Sequence, residues 1–250
     1  MKDWGISMTL LQGDCLELMK DIPDKSINLI LCDLPYGTTR NNWDEVIPFD
    51  KLWTQYNRII KDKGAILLFG QGKFFINLVS SNMKMYRYDL VWDKELISGF
   101  LNAKRMPLRR HEQIAVFYKH LPTYNPQFTE GKPLHSKGTA YKEKELTNNN
   151  YGDFKPADDD RAGSTEKYPT SIMKFQKPHP SVCVHPTEKP VALLEYLVKT
   201  YTNEGDVVLD NCMGSGSTGV ACKNTNREFI GMELDEKYFN IACERLGMKE

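Results

Sequence analysis

Short apolar runs alternate with amphipathic segments in the first half of the chain. Ile27 to Leu34 (INLILCDL) and Gly64 to Gly70 (GAILLFG) are apolar stretches of strand length. Phe49 to Asp62 and Lys73 to Met83 carry apolar residues at helical spacing. Alternating strands and helices predict an α/β domain built on a mainly parallel sheet.

The periodic pattern is lost from His120 to Pro180, a stretch rich in Pro, Gly, Asn, Lys and aromatic residues. So long a run without periodicity is typical of functional loops. The α/β pattern then returns, beginning with a predicted helix that has Thr187 as its N-cap and Pro190 in its first turn. We therefore divide the chain into residues 1–119, an inserted lobe over 120–180, and residues 181–250.

Two buried strands and two helices are predicted in the last part of the chain. DVVLDNC, from Asp206, and REFIGMELD, from Arg227, have the composition of buried strands. A helix is predicted to follow the first of these strands, and an amphipathic helix beginning at Asp235 closes the chain.

The charge of the chain is balanced overall but uneven locally. The 250 residues include 33 Lys and Arg and 33 Asp and Glu, which argues against a protein that coats nucleic acid by charge alone. Residues 100–180 nevertheless carry about 14 basic and about 9 acidic side chains. The basic residues cluster in KRMPLRRH, from Lys104 to His111.

The six cysteines are scattered and form no CxxC pair, so we interpret them as buried thiols of a cytoplasmic protein. Cys183 and His185 lie two positions apart, but no second ligand pair stands near them, so we predict no metal site. No run of eighteen apolar residues predicts a membrane span, and the N-terminal stretch does not have the pattern of a secretory signal.

A glycine-rich turn follows the predicted strand that ends at Asp210. Gly214, Gly216 and Gly219 satisfy G-x-G-x-x-G, with the acid Glu233 near the end of the next strand. A phosphate-binding P-loop is excluded, because no lysine precedes its Ser-Thr pair. A nicotinamide cofactor, a cationic cofactor such as S-adenosylmethionine, and a purely structural turn remain open. An acid at the strand end favours the cationic cofactor over a pyrophosphate.

The tetrapeptide DLPY, Asp33 to Tyr36, follows the first strong apolar run. The Asp33 carboxylate and the Leu34 carbonyl could each accept one N–H of an exocyclic amino group, which frees the nitrogen lone pair for reaction. Pro35 confines Leu34 to extended geometry and so directs that carbonyl. Tyr36 could stack on a flat ring. Alone, such a tetrapeptide is more often a turn after a strand.

Taken together, these motifs resemble the S-adenosylmethionine-dependent DNA amino-methyltransferases, which form N6-methyladenine or N4-methylcytosine. DLPY is similar to the family's Asp-Pro-Pro-Tyr tetrapeptide, with Leu34 in place of its second residue, and LDNCMGSGSTG from Leu209 is similar to its cofactor loop. FIGMELD from Phe229, HPTEKP from His185 and QGDCLELM from Gln12 resemble further elements, in the family's β-type order.

The resemblance implies a doubly wound, Rossmann-like methyltransferase fold with an inserted target-recognition region. It assigns catalysis to Asp33, Leu34, Pro35 and Tyr36. It implies cofactor contacts at Asp14, Cys15, Asp33, Thr187, Lys189, Asp210, Asn211, Cys212, Gly214, Ser215, Gly216, Glu233 and Leu234. Of these, Glu233 would bind the ribose, Asp14 the adenine amino group, and Thr187 and Lys189 the carboxylate.

The implied substrate is an adenine flipped out of duplex DNA, with Lys104, Arg105, Arg109 and Arg110 as candidate DNA contacts. Aspartate at the first tetrapeptide position favours adenine, and N4-cytosine is the alternative. A transferase acting on amino groups of protein or RNA and a nicotinamide-dependent oxidoreductase also stay open. A homodimer and a separate restriction endonuclease acting on the same site are compatible with such an enzyme from a bacterium or a phage.

Overall fold

The structure is a computed structural model that describes residues 7–37, 45–133, 147–148, 152–153, 163–177 and 188–248. The strands are β1 (Met8–Gln12), β2 (Ile27–Cys32), β3 (Ile60–Gly70), β4 (Tyr86–Ser98), β5 (Arg109–Phe117), β6 (Thr129–Glu130), β7 (Thr147–Asn148), β8 (Gly152–Asp153), β9 (Glu166–Lys167), β10 (Ile172–Lys174), β11 (Val207–Asp210) and β12 (Glu228–Glu233). The helices are α1 (Cys15–Leu18), α2 (Phe49–Ile59), α3 (Gly72–Ser81), α4 (Val191–Tyr201), α5 (Ser217–Asn224) and α6 (Glu236–Leu246).

The main sheet has eight strands in the order β1-β12-β11-β2-β3-β5-β4-β10. Every neighbouring pair is parallel except the two that involve β5, which is antiparallel to β3 and β4. The prediction of a mainly parallel α/β sheet is confirmed. The antiparallel hairpin formed by β4 and β5 was not predicted, because strand periodicity carries no information about strand direction.

The central strand β2 is buried on both faces, as parallel strands in doubly wound sheets usually are. Ile30 and Cys32 pack on the side of α1, α2 and α3, whereas Leu29 and Leu31 pack on the side of α4, α5 and α6. Helices therefore cover both faces of the sheet. The buried strand therefore fixes the position of the residues that directly follow it at its carboxyl end.

The chain reverses its direction of winding between β2 and β11. From β2 it proceeds through α2 to β3 on one side, and from β11 it proceeds through α5 to β12 on the other. Open α/β sheets bind ligands at such a switch point, outside the carboxyl ends of the strands. Asp33 and Asp210 stand at this edge, Asp33 directly after β2 and Asp210 as the last residue of β11.

The chain forms two compact units: a larger one, Met1–Asn125 with Thr170–Glu250, and a smaller one, Pro126–Pro169. In the smaller unit, β6 pairs with β9 and β7 pairs with β8, both antiparallel. This unit is shorter than the predicted lobe over 120–180, because Asn125 N–H donates to the Thr200 carbonyl at 2.7 Å and β10 pairs with β4. Its predicted role in target recognition stays a prediction.

The predicted N-terminus of α4 is wrong. The helix begins at Val191 with Pro190 as its N-cap residue, so it starts too late for Thr187 to cap it. Thr187 itself lies outside the described residues. The start of α6 agrees with the prediction: Asp235 is the N-cap, and its Oδ1 accepts a hydrogen bond of 3.1 Å from Tyr238 N–H.

Within the described ranges, none of the helices combines the length and the apolar character needed to cross a bilayer. Of the five cysteines in these ranges, Cys15, Cys32 and Cys222 are buried, and Cys212 and Cys243 are partly buried. Cys183 and His185 lie outside the described residues. In the described part of the chain, no cluster of His, Cys, Asp and Glu could hold a metal ion.

Candidate active site

A cavity of about 600 Å³ opens at the switch point. Its wall contains residues from both halves of the sequence, including Asp33 and Tyr36 after β2 and Asp210, Gly214 and Glu233 around the glycine turn. The cavity therefore joins the DLPY tetrapeptide to the glycine turn, although about 175 residues separate the two motifs.

The tetrapeptide forms a compact unit on one side of this cavity. The Tyr36 hydroxyl donates a 2.7 Å hydrogen bond to Asp33 Oδ1, and its ring stacks on Phe74 with centroids 4.6 Å apart. Burial and the Asp33 charge raise the pKa of Tyr36 well above its usual value, so the hydroxyl stays protonated and donates. Leu34 is buried, and Pro35 also lines the cavity.

Lys189 closes the other side of the Asp33 carboxylate. Its ammonium donates to Asp33 Oδ2, lies 3.4 Å from Glu112 Oε2 and stands 5.1 Å from the centre of the Phe69 ring. Burial acts to lower the pKa of Lys189, but Asp33 and Glu112 outweigh it and hold that pKa above its usual value. Lys189 thus bears a charge in a site where its side chain is only 9% exposed.

Asp210 shapes the glycine turn. Its Oδ1 accepts a hydrogen bond of 3.1 Å from Cys212 N–H, and its Oδ2 accepts one of 2.6 Å from the Thr218 hydroxyl. Burial raises the pKa of Asp210 to about 6 even though these bonds oppose the shift. Gly214 and Gly216 have φ of 53° and 80°, a left-handed conformation that glycine adopts without strain.

Glu233 ties the turn to the end of β12. Its Oε2 accepts a 2.8 Å hydrogen bond from Gly214 N–H, and its Oε1 accepts a 2.9 Å bond from Asp235 N–H. Burial raises the pKa of Glu233, again against these hydrogen bonds. A carboxylate has about four acceptor positions, so Glu233 keeps acceptor capacity for a ligand.

Six further residues that were predicted to contact the cofactor line the same cavity. Asp14, Cys15, Ser215 and Leu234 line the cavity, as do Asn211 and Cys212. The Leu234 side chain is 62% exposed there. Two of these residues are engaged by the protein itself: Asp14 Oδ1 caps α1 through Leu16 N–H at 2.7 Å, and Asn211 Oδ1 accepts from the Tyr56 hydroxyl at 2.5 Å.

Several residues that the sequence interpretation missed support this site. Arg245 Nη2 lies 2.6 Å from Glu188 Oε1, and its Nη1 donates to Ser217 Oγ at 3.0 Å, which pins the glycine turn to the residue before Lys189. Glu112 pairs with Lys189 and also with Lys94. Glu112 and Lys94 could have been noticed in the sequence, because each is a charged residue that adjoins a strongly apolar stretch.

The predicted basic residues lie on or beside the β4–β5 hairpin. Lys104 and Arg105 are exposed in the connection between the two strands. Arg109 Nη1 donates to Gln71 Oε1 at 3.4 Å, and Gln71 lines the cavity. Arg110 forms a two-pronged ion pair with Asp93 at 2.6 and 3.0 Å, which lowers the pKa of Asp93.

The hairpin rises directly from the cavity. Trp92 of β4 and Glu112 of β5 are register partners and both line it. The strands continue beyond this pair to Ser98 and Arg109, roughly 10 to 20 Å further along them. The exposed large apolar residues of this projection are Leu96, Ile97, Phe100, Leu101 and Met106, of which Leu101 is 98% exposed.

The doubly wound sheet and the cavity at its switch point, where the tetrapeptide meets the glycine turn, agree with the methyltransferase fold that the sequence motifs imply. The chain belongs to the DNA methylase family, whose N6/N4 model matches residues 27–244. The suspected family is confirmed. S-adenosylmethionine is the cofactor and DNA is the partner.

Curated relatives of this chain are named as methyltransferases. The type II methyltransferase M.HpaI of Haemophilus parainfluenzae is 28% identical over 254 residues, which cover 95% of this chain and 73% of the relative. The DNA adenine methyltransferase YhdJ of Escherichia coli (strain K12) is 26% identical over 254 residues, which cover 96% of this chain and 83% of the relative.

Solved structures share the fold at lower identity. The crystal structure of the M1.HpyAVI–SAM complex has a TM-score of 0.64 at 21% identity and covers 96% of this chain and 100% of that one. The PvuII DNA methyltransferase (cytosine-N4-specific) has a TM-score of 0.66 at 15% identity, covering 96% and 88% respectively. The Rossmann-like methyltransferase fold is confirmed.

Proposed function

We propose that the protein transfers a methyl group from S-adenosylmethionine to the N6 amino group of an adenine in duplex DNA. The observation that carries this proposal is the placement of Asp33 and Tyr36 in the same cavity as Glu233 and the Gly214 turn. The base and the cofactor must meet within bonding distance, so both receptors have to open into one space.

The Asp33 side of the cavity fits a flat ring with an exocyclic amino group. Asp33 Oδ2 and the Leu34 carbonyl would each accept one N–H of that group, which leaves its lone pair free to react. Tyr36, backed by Phe74, would lie against the ring. As the nitrogen gains its methyl group it becomes acidic, and Asp33 Oδ2 can accept the proton that it releases.

The Glu233 side fits a cationic cofactor. Asp210, Glu233 and Glu188 surround the glycine turn with carboxylates, which would repel a pyrophosphate and attract positive charge. The remaining acceptor positions on Glu233 suit a pair of ribose hydroxyls, and Asp14 and Leu234 stand beside it on the wall. S-adenosylmethionine supplies a methyl group on a positively charged sulfur, which the amino nitrogen can accept.

Adenine is favoured over cytosine by two observations. The tetrapeptide begins with aspartate, and one of the relatives that covers most of this chain is named a DNA adenine methyltransferase. The cytosine-N4-specific structure resembles this chain only in fold, at 15% identity. Cytosine N4 remains the alternative, because both amino groups need the same two acceptors.

We further propose that the β4–β5 hairpin contacts DNA. Lys104 and Arg105 would bind phosphates, while the exposed Phe100 and Leu101 would pack against bases near the one that leaves the stack. Loss of stacking costs a few kcal/mol, which such contacts must offset. A role of the smaller unit in target recognition, a homodimer, a partner endonuclease and a cytoplasmic location are the remaining predictions.

The test is a methyl-transfer assay on duplex DNA followed by mass spectrometry of the nucleosides. We expect N6-methyladenine from the wild type and a rate at least about 100-fold lower from Asp33→Ala, because the amino group then loses its charged acceptor. Asp62→Ala, at an exposed position paired with Lys25, is the matched control and should match the wild type. N4-methylcytosine as the product, or wild-type turnover by Asp33→Ala, would contradict the proposal.

A further inference from the structure

Four alternating charges run from the tetrapeptide into the wall of the cavity. Asp33 pairs with Lys189, Lys189 with Glu112, and Glu112 with Lys94. The four residues come from different elements: the end of β2, the segment before α4, β5 and β4. Lys94, Lys189 and Glu112 are mostly buried, with side-chain exposures of 7%, 9% and 13%.

This arrangement is in conflict with the role of Asp33. Tyr36 already donates to Oδ1, and Lys189 donates to Oδ2, the oxygen that the target amino group needs. Lys189 cannot simply release that oxygen, because a buried ammonium without a partner is strongly destabilising. The exchange requires a second acceptor close to the Lys189 ammonium.

Glu112 Oε2 has the properties of that acceptor. It is a buried oxygen that makes no hydrogen bond within the described part of the chain, yet it lies 3.4 Å from Lys189 Nζ. A shift of roughly half an ångström would bring this pair to the length of an ordinary charge-assisted hydrogen bond. Lys189 therefore lies near two carboxylate oxygens. Asp33 Oδ2 already accepts its hydrogen bond, and Glu112 Oε2 is the oxygen that could accept it next.

Lys94 keeps the open oxygen in place. Its Nζ donates to Glu112 Oε1 at 3.2 Å and lies 3.5 Å from Ser98 Oγ, so one carboxylate oxygen is fixed and the other is turned toward Lys189. The pKa of Glu112 agrees with this arrangement: burial acts to raise it, but Lys189 and Lys94 hold it below its usual value. Glu112 thus bears the negative charge that can receive an ammonium.

We propose that Glu112 is a positioning residue that takes over the Lys189 ammonium when the target amino group enters, and so frees Asp33 to accept that group. The inference rests on the proposed function. When the Lys189 ammonium moves from Asp33 to Glu112, one hydrogen bond replaces another. The four charges still sum to zero, so no buried charge is left without a partner. Glu112 acts through Lys189 and does not touch the base.

The experiment compares single-turnover methyl-transfer rates at saturating DNA and S-adenosylmethionine. Glu112→Gln should be slower than wild type by about tenfold or more, because a neutral amide holds the ammonium less well. Glu112→Asp keeps the charge and should recover most of the rate. Equilibrium binding of both ligands should change by less than about twofold, since the effect belongs to the reacting state.

A double-mutant cycle separates positioning from structure. In a Lys189→Met background there is no ammonium to move, so adding Glu112→Gln should cost less than about twofold. Glu195→Gln, a partly exposed glutamate on α4 that accepts from Asn224, is the control that should leave the rate unchanged. Thermal unfolding of each variant verifies that it is folded.

The outcomes separate this inference from the proposed function. Wild-type rates in a folded Glu112→Gln, or an equal cost of that substitution with and without Lys189, would overturn the positioning role while leaving the methyltransferase proposal intact. Transfer by the wild type to cytosine in place of adenine would overturn only the choice of base. A wild type that methylates neither base would overturn both proposals.

Discussion

Asp210 is a buried carboxyl that accepts hydrogen bonds within the glycine turn, and its titration makes the stability of the protein depend on pH. Because burial raises its pKa to about 6, the folded protein holds a proton on Asp210 more tightly than the unfolded chain does. The ionised form is therefore a destabilising element above about pH 6, and that penalty disappears as the pH falls from about 7 to 4. The sign is opposite to that of a carboxylate stabilised by a salt bridge.

We expect the stability of the wild type relative to Asp210→Asn to rise by about 2 kcal/mol between about pH 7.5 and pH 4. The asparagine can still accept from Cys212 N–H and donate to the Thr218 hydroxyl, so the turn keeps its bonds. Urea unfolding over a pH series measures the difference, with the exposed Asp62→Asn as control. A difference that does not vary with pH, or one that falls as the pH falls, would show that Asp210 is not a high-pKa group.

Among single residues, the sequence draws attention to the two motifs but does not reveal the contacts that support them. The sequence indicates Asp33 and Tyr36 because a carboxylate and a ring follow a strongly apolar strand. It does not indicate that the Tyr36 hydroxyl binds Asp33, or that Lys189 reaches Asp33 from 156 positions away. Such pairings depend on tertiary packing, which local sequence patterns do not encode.

At the scale of elements, helix α5 needs a glycine where it packs. A Cβ atom on Gly219 would lie 2.7 Å from Leu246 Cδ1 and 2.8 Å from Phe229 Cε1, closer than real contacts allow. Gly219→Ala should therefore lower the free energy of unfolding by about 1 to 3 kcal/mol, as overpacked cores do. Asn224→Ala, at the exposed end of the same helix, should change the free energy of unfolding by less than about 0.5 kcal/mol. Chemical denaturation measures both variants. Equal losses of stability in the two would contradict this packing.

The β4–β5 hairpin makes a separate prediction about DNA. Replacing both Lys104 and Arg105 with alanine should weaken DNA binding for all sequences and reduce the salt slope of log K by about 2, one unit for each phosphate that is no longer neutralised. The matched control is Lys63→Ala with Lys84→Ala, since these exposed lysines lie near the amino ends of β3 and β4, at the opposite edge of the sheet. An unchanged slope in the hairpin variant, measured by fluorescence anisotropy, would exclude the hairpin from phosphate contact.

Element types were predictable from periodicity, whereas element boundaries and partners were not. The helix predicted from Phe49 ends at Ile59, because the chain enters β3 at Ile60, three residues earlier than the apolar spacing suggested. Strand β5 begins at Arg109, so its first residues are basic, and charge makes such a strand hard to recognise from sequence.

At the scale of the whole molecule, folding joins two motifs that are meaningful only together. DLPY alone predicts no more than a turn, and a glycine turn alone fits several cofactors. The sheet order brings β2 beside β11, so the two motifs share one edge and one cavity. The order of the two motifs is visible in the sequence. The cavity that they share, and the ion pairs that link Asp33, Lys189, Glu112 and Lys94 in its wall, can be seen only in the folded structure.

Single-molecule sequencing of DNA from cells that express the wild type or Asp33→Ala would show whether this cavity methylates DNA through Asp33. We expect N6-methyladenine at one short recurring sequence in the first sample and its absence in the second. Methylated adenines in both samples would contradict the role of Asp33, and an unmodified genome with the wild type would contradict the proposed activity itself.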